Sequence, residues 1–267
     1  MPDDVYTHGH HDAVLRSHRF RTAENSAAYL LPHLKPGLRV LDVGCGPGTI
    51  TADLAARCAP GELVAVDRAP EILAEAKAAC AARGVDNVTV AVGDVYALDH
   101  PDDSFDVVHA HQVLQHLSDP VAALREMRRV CRPDGVVAVR DADYHAMTWY
   151  PPDPDLDRWM HIYQAVARSN DAEPDAGRML LAWANQVGFS SVESSASVWC
   201  FADDELRAWW GDLWAERMTS SAAATQAVER DLATDDDLRA VSAAFRRWMN
   251  EPDGWFTVLH GEILARP

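Results

Sequence analysis

Two rhythms of apolar and polar positions alternate along the first half of this chain. LRVLDVG (38–44) is a short, nearly continuous apolar run, the pattern of a strand covered on both faces. TITADLAARCAPG (49–61) switches to helical spacing and stops at Pro60 and Gly61. ELVAVD (62–67) is a second strand, and Pro70 opens a helix through EILAEAKAACAAR that Gly84 closes. NVTVAVGD (87–94) and SFDVVHAH (104–111) read as the third and fourth strands. Asp119 caps a helix with Pro120 at its first position, running to Val130 or Cys131. The turn PDG then leads into a fifth strand, VVAVRDAD (136–143). This alternation implies right-handed crossovers and a parallel sheet with helices on both faces.

The two ends depart from that rhythm. Upstream, Thr22 caps a predicted helix from Ala23 to Leu34, with Ala27, Leu30, Leu31 and Leu34 on one stripe and Pro32 near its end. Downstream, 144–154 is a proline-rich, aromatic loop, followed by helices over 155–168 and 176–187. SSVESSASVWCF (190–201) is a sixth strand. The stretch 203–252 is helical and carries Trp209, Trp210, Trp214 and Trp248, and WFTVLHGEILAR (255–266) is a last strand.

Composition narrows the function. Hydrophobic residues make up 48% of the 267, enough for a buried core, and no run approaches the roughly 18–20 apolar residues of a membrane span. Lys and Arg number 24 against 41 Asp and Glu, a net charge of −17. That balance argues against nucleic acid or an anionic membrane as partner, since both require a basic face. Cys45, Cys58, Cys80, Cys131 and Cys200 are widely spaced with no CxxC pair, which disfavours a disulfide framework and a cysteine-based zinc site. The N-terminus lacks the apolar stretch of a signal peptide, so a reducing cytoplasm is the expected location.

The chemistry concentrates in one turn. LRVLDV runs into GCGPGT, which places Gly44, Cys45, Gly46 and Gly48 between the first strand and its helix. Glycines there permit positive φ and close approach of a ligand to the backbone. Asp67 ends the next strand, where a carboxylate can accept hydrogen bonds from two ribose hydroxyls. A dinucleotide fold wants G-x-G-x-x-G, whereas this spacing is G-x-G-x-G preceded by Asp42, which suits a ligand with a cationic end better than a pyrophosphate.

The block DVGCGPG resembles motif I of the class I S-adenosylmethionine-dependent methyltransferases, and the resemblance continues in register over about residues 36–143. VDRAPEIL (66–73) is similar to the family's ribose segment, with Arg68 beside Asp67; VGDVYALDHPDDSFDVV (92–108) is similar to the adenine segment, with Asp94 and the Val95 N–H. HAHQVLQHL (109–117) and LREMRRVCRPDGVVAV (124–139) match the stretches after strand four and before strand five. The wider likeness is to the small-molecule methyltransferases of ubiquinone and menaquinone biosynthesis. It implies an α/β fold: a seven-stranded Rossmann-like sheet in the order 3-2-1-4-5-7-6, last strand antiparallel, helices on both faces. It implies an N-terminal helical cap (1–35) and a methyltransferase domain (36–267) with helical lid insertions at about 144–188 and 203–252. It also implies S-adenosylmethionine as cofactor, S-adenosylhomocysteine as product, and transfer to an O, N or C atom of a small, apolar or aromatic acceptor. Exposed apolar faces on the lid would allow a homodimer.

Individual roles follow as expectations. His111, His116, Asp141 and Tyr144 are candidates to face the acceptor, and His111 also to touch the cofactor. His109 reads as a hydrogen-bonded core histidine, and Asp143 and His145 share the strand-five end. Tyr6 is expected to shield the sulfonium and Arg21 to pair with the cofactor carboxylate. His8, His10, His11 and His18 lack metal-ligand spacing, so no metal is expected. The tryptophans of 199–214 read mostly as lid core, with one or two facing the pocket. Two other readings compete. A nucleic-acid methyltransferase acting on exocyclic amines would carry a [DNS]PP[YFW] block where this chain has HQVL. A nucleotide-binding or regulatory S-adenosylmethionine-binding protein would keep the fold without turnover.

Overall fold

The computed structural model describes Asp4, Thr7 and residues 12–267, with side chains described from Arg16 onward and at Asp4 and Thr7. Helices α1 (Asp12–Arg19) and α2 (Ala23–Ser26) precede strand β1 (Val40–Val43). Then follow α3 (Thr49–Cys58), β2 (Leu63–Asp67), α4 (Leu73–Ala82), β3 (Val88–Val92), β4 (Phe105–His111), α5 (Pro120–Val130) and β5 (Cys131–Ala142). The remainder is β6 (Thr148–Tyr150), α6 (Pro154–Arg168), α7 (Ala176–Val187), β7 (Ser191–Phe201), α8 (Asp204–Ser220), α9 (Ala222–Glu229), α10 (Asp235–Trp248) and β8 (Trp255–Arg266).

Strands β3-β2-β1-β4-β5 are parallel neighbours, and β8 joins β5 antiparallel. One edge of β8 carries β5 and then the short β6; its other edge carries β7 along the whole strand. The expected order is therefore present among the long strands, with β7 and β8 as sixth and seventh, and β6 is an eighth strand inside the stretch read as a loop. Residues of one strand alternate between faces. Leu41, Val43, Val108, Val137 and Val139 face α5 and α7, while Val40, Val107, Val136 and Ala138 face α2, α3 and α4.

Two expectations change. The helix predicted over Ala23–Leu34 is only α2 plus a 3-10 turn at Leu31–His33. Pro32 has no N–H to give to the Ala28 carbonyl and its ring would collide there, so the helix cannot run through. Thr22 does cap α2 as expected, accepting from the Asn25 N–H. Helix α7, expected among the lid pieces, covers the sheet instead: Ala176, Leu180, Trp183 and Ala184 pack with β4, β5 and β8. Gly177 and Gly261 permit that approach, since a Cβ on Gly261 would lie 2.0 Å from the Gly177 carbonyl oxygen.

A third core lies outside the sheet layers. Trp159, Trp210, Trp214, Phe245, Trp248 and Phe256 join α6, α8 and α10 to β8, with Trp159 edge-on to Trp214 at 4.6 Å. Helix α1 rests on α8, where Arg16 pairs with Asp212 at 3.4 Å and with Glu216.

Candidate functional site

A cavity of about 470 Å³ opens at the carboxyl ends of β1, β2 and β4, where ligands bind in open α/β sheets. One end is the glycine turn. Gly44 and Gly48 have φ of 67° and 79°, and a Cβ on Gly48 would lie 2.7 Å from the Ala76 Cα, so only glycine lets α3 and α4 pack there. The turn's own N–H groups are engaged internally: Gly44 and Cys45 donate to the Val66 carbonyl, Gly48 to the Cys45 carbonyl, and Gly46 to Asp67 at 2.9 Å. No nest of free N–H groups is left at these positions for a pyrophosphate.

Asp67 is held by the Gly46 and Ala69 N–H groups, at 2.9 and 3.0 Å. A carboxylate accepts about four hydrogen bonds, so two acceptor sites remain for a pair of hydroxyls on the cavity side. Asp94 and Val95 also line the cavity; Asp94 accepts from the Tyr96 N–H, which fixes its turn. Arg68 lines the wall and donates to the Asp4 carbonyl at 3.3 Å. Cys45 is buried, and burial first, then Asp42 and Asp67, push its thiol up, so it stays protonated and inert. Asp67, Asp94 and Val95 thus line the same end of the cavity as the glycine turn.

Asp42 has a different role from the one its position suggested. It lies in β1, 3% exposed, accepting from Thr51 Oγ1 at 2.6 Å and paired with His109 Nδ1 at 2.8 Å. His109 is thus the hydrogen-bonded core histidine expected. His111, two positions on along the same face of β4, lines the cavity at 4% exposure, and neither ring nitrogen has a partner. Burial holds its basicity well below the ordinary histidine value, with Arg21 and Arg140 adding to it. It is a neutral imidazole facing the cavity.

His116 lies in a 3-10 turn (Leu114–His116), lines the cavity, and is held down to about 3 by burial and then Arg21. Tyr144 lines the wall as well, stacked on Tyr163 at 4.0 Å. Asp141 is not brought to the cavity. It alternates with Arg140 and so points to the α7 face, where it accepts from the Gln115 N–H at 3.1 Å. Asp143 is on that face too, gripped by Arg178 through two 2.6 Å bonds, and His145 is exposed in the loop.

Arg21 comes to the cavity from the leader and donates to Gln112 Oε1 at 2.5 Å. Gln112, at φ 53°, in turn bonds His260 Nε2 at 2.8 Å. His260 Nδ1 meets the Val258 carbonyl, so that nitrogen carries the proton and Nε2 accepts from Gln112. Tyr6, His8, His10 and His11 lie outside the described residues. Of the tryptophans, Trp210 and Trp214 line the cavity, whereas Trp209 packs against Phe20 at 4.7 Å. Trp199, at the start of the tryptophan-rich segment, lines it too, while reading the sequence passed over Gln112 and Arg217, both on the wall.

Known proteins place this geometry. Residues 34–198 match a family described as a methyltransferase domain. The chain belongs to that family. It is an S-adenosylmethionine-dependent methyltransferase. It is 37% identical to an uncharacterized methyltransferase of Schizosaccharomyces pombe, over 98% of this chain and 96% of that one. It is 30% identical to a probable methyltransferase, LtbC, of Aspergillus luteorubrus, over 97% and 96%. The crystal structure of the YcgJ protein of Bacillus subtilis shares its fold, with a TM-score of 0.60 at 20% identity over 91% of this methyltransferase and 98% of that chain. No helix of the described residues is long and apolar enough to cross a membrane.

Proposed function

We propose that this methyltransferase acts on a small molecule with a planar, largely apolar body, held beyond the glycine turn by residues of the leader and of α8. The observation that carries the reading is the single cavity that runs from Asp67 and Gly46 to Trp199, Trp210 and Trp214. Cofactor and acceptor would share it end to end, which is the arrangement in-line displacement needs.

S-adenosylmethionine supplies an electrophilic sulfonium methyl, so the chain needs no nucleophile of its own. Its residues bind and orient. Asp67 takes the ribose hydroxyls, and Asp94 with the Val95 N–H takes the adenine. Arg21, steadied by Gln112, pairs with the carboxylate as a planar guanidinium does well. Tyr144, His116 and the tryptophans wall the acceptor and exclude water. Positioning of this kind contributes up to about 7–11 kcal/mol to such a displacement. In this reading the leader with α8 and its neighbours α9 and α10 forms the lid.

The test is transfer from methyl-labelled S-adenosylmethionine in the presence of a small-molecule extract. Label in the small-molecule fraction is expected. Label confined to protein or nucleic acid would contradict the proposal.

A further inference from the structure

A chain of hydrogen bonds runs from the leader to the last strand. The Arg21 guanidinium donates to Gln112 Oε1 at 2.5 Å, Gln112 Nε2 meets His260 Nε2 at 2.8 Å, and His260 Nδ1 meets the Val258 carbonyl at 3.1 Å. Each end of this chain has one role only: a guanidinium donates and a carbonyl accepts. The amide and the imidazole between them are able to face either way. The ends therefore set the middle. The proton is on His260 Nδ1, its Nε2 lone pair accepts from the Gln112 amide nitrogen, and the amide oxygen is left toward Arg21.

The fold fixes both middle groups. Gln112 directly follows β4 at φ 53°, a left-handed backbone uncommon for a residue with a side chain, and its N–H donates to the Arg140 carbonyl at 2.7 Å. His260 is fully buried within β8, opposite Ala142 on β5 and Ser197 on β7. Its ring stacks beside His111 at 6.1 Å and meets Trp199 edge-on at 4.4 Å, and the Arg21 guanidinium lies 6.0 Å over that same indole. His260 thus bears on Arg21 twice, through the Gln112 amide and through the Trp199 ring. Burial, then Arg140 and Arg21, holds its basicity well below the ordinary histidine value, so the ring stays neutral and keeps a lone pair for Gln112.

We infer that His260 is a positioning residue for cofactor binding: acting through Gln112, it orients Arg21 toward the cofactor carboxylate without touching the cofactor itself. The inference rests on the proposed reading in which Arg21 takes that carboxylate. Arg21, Gln112 and Trp199 line the cavity, and His260 stands behind them. Losing the acceptor at 260 has a definite consequence. The Gln112 amide is then free to turn its NH2 group toward Arg21, a donor facing donors. The guanidinium loses the bond that sets its direction, and with it the fork geometry that grips a carboxylate. The nucleoside part of the ligand is indifferent to this change, since Asp67, Asp94 and Val95 are on the loops after β2 and β3.

The experiment compares two ligands by calorimetric titration of the full chain: S-adenosylhomocysteine, and 5′-methylthioadenosine, a nucleoside thioether without the amino acid. His260→Phe keeps a ring and loses the acceptor. S-adenosylhomocysteine is expected to bind it about three- to tenfold more weakly, the equivalent of about one hydrogen bond, with 5′-methylthioadenosine unchanged. His260→Gln, which returns an acceptor near the Nε2 position, should recover most of that loss, and Gln112→Leu should reproduce it. Equal losses for the two ligands, or no loss for S-adenosylhomocysteine, overturn the inference. Where His260→Phe does not fold, the ring-nitrogen chemical shifts of His260 in the wild type decide: the Nδ1–H tautomer is expected, and an Nε2–H tautomer overturns the inference. Arg21→Ala separates the inference from the reading beneath it. A selective loss in Arg21→Ala with none in His260→Phe overturns the inference alone, and unchanged affinity in Arg21→Ala removes both.

Discussion

The two ends of the cavity are assembled in opposite ways. One end, proposed for the cofactor, comes from the loops that follow β1, β2 and β3, and each loop contributes residues close in sequence: Gly44–Gly48, Asp67–Arg68, Asp94–Val95. The other end, proposed for the acceptor, gathers Gln112 from just after β4, Trp199 from β7 and Arg217 from α8. The first needs only local backbone geometry to be correct. The second exists only once α8 has packed on α1 and β7 has paired with β8. In the proposed reading, a nucleoside recognised at the glycine turn constrains short motifs, while an acceptor surrounded by distant side chains leaves each element free to vary.

If the ends are independent, damage to one should spare the other. The largest effect is expected from Trp159→Ala. Trp159 is fully buried, edge-on to Trp214, Phe245 and Phe256. Its removal should cost about 3–5 kcal/mol of stability in denaturant unfolding. The molecules that stay folded should bind S-adenosylhomocysteine as the wild type does. Weakened binding by the folded fraction would show that the aromatic core also sets the cofactor end.

A smaller, pH-dependent effect sharpens the comparison at the boundary. Burial raises the Asp141 carboxyl to about 7 in the folded chain, against about 3.9 when unfolded. The folded state therefore holds this proton more tightly. Its contribution to stability is fully present below about pH 4 and is lost as pH rises through about 7. Asp141→Asn keeps an acceptor for the Gln115 N–H and removes the titration. Relative to the variant, the wild type should lose stability between about pH 4 and about pH 7 in paired urea titrations. Parallel pH profiles would mean that Asp141 stays ionised in the folded chain.

The same division decides what was legible in the sequence. Strands β1–β5, α3, α5, the last strand and the glycine turn were readable because periodicity, caps and turn residues act locally. The α2 break was foreshadowed by Pro32, but the apolar stripe masked it, since Ala27 and Leu30 are buried even without a helix between them. Asp141 was misjudged because a strand end offers both faces and the pattern does not say which one meets the cavity. Arg217 gave no signal: a guanidinium inside an apolar helix reads as a solvated face until Ser17 and the Trp214 ring are seen beside it. Trp199, whose Nε1 donates to the Asn25 carbonyl at 2.7 Å, was decided by a pairing across 174 positions.

The most direct test of the central claim is calorimetric titration of S-adenosylhomocysteine into the wild type and Asp67→Ala. Saturable binding by the wild type is expected, weakened at least tenfold in the variant, because a charged acceptor for hydroxyls contributes about 1.5–3 kcal/mol. A folded wild type that binds nothing, or equal affinity in the two proteins, would contradict the assignment of the ribose to Asp67.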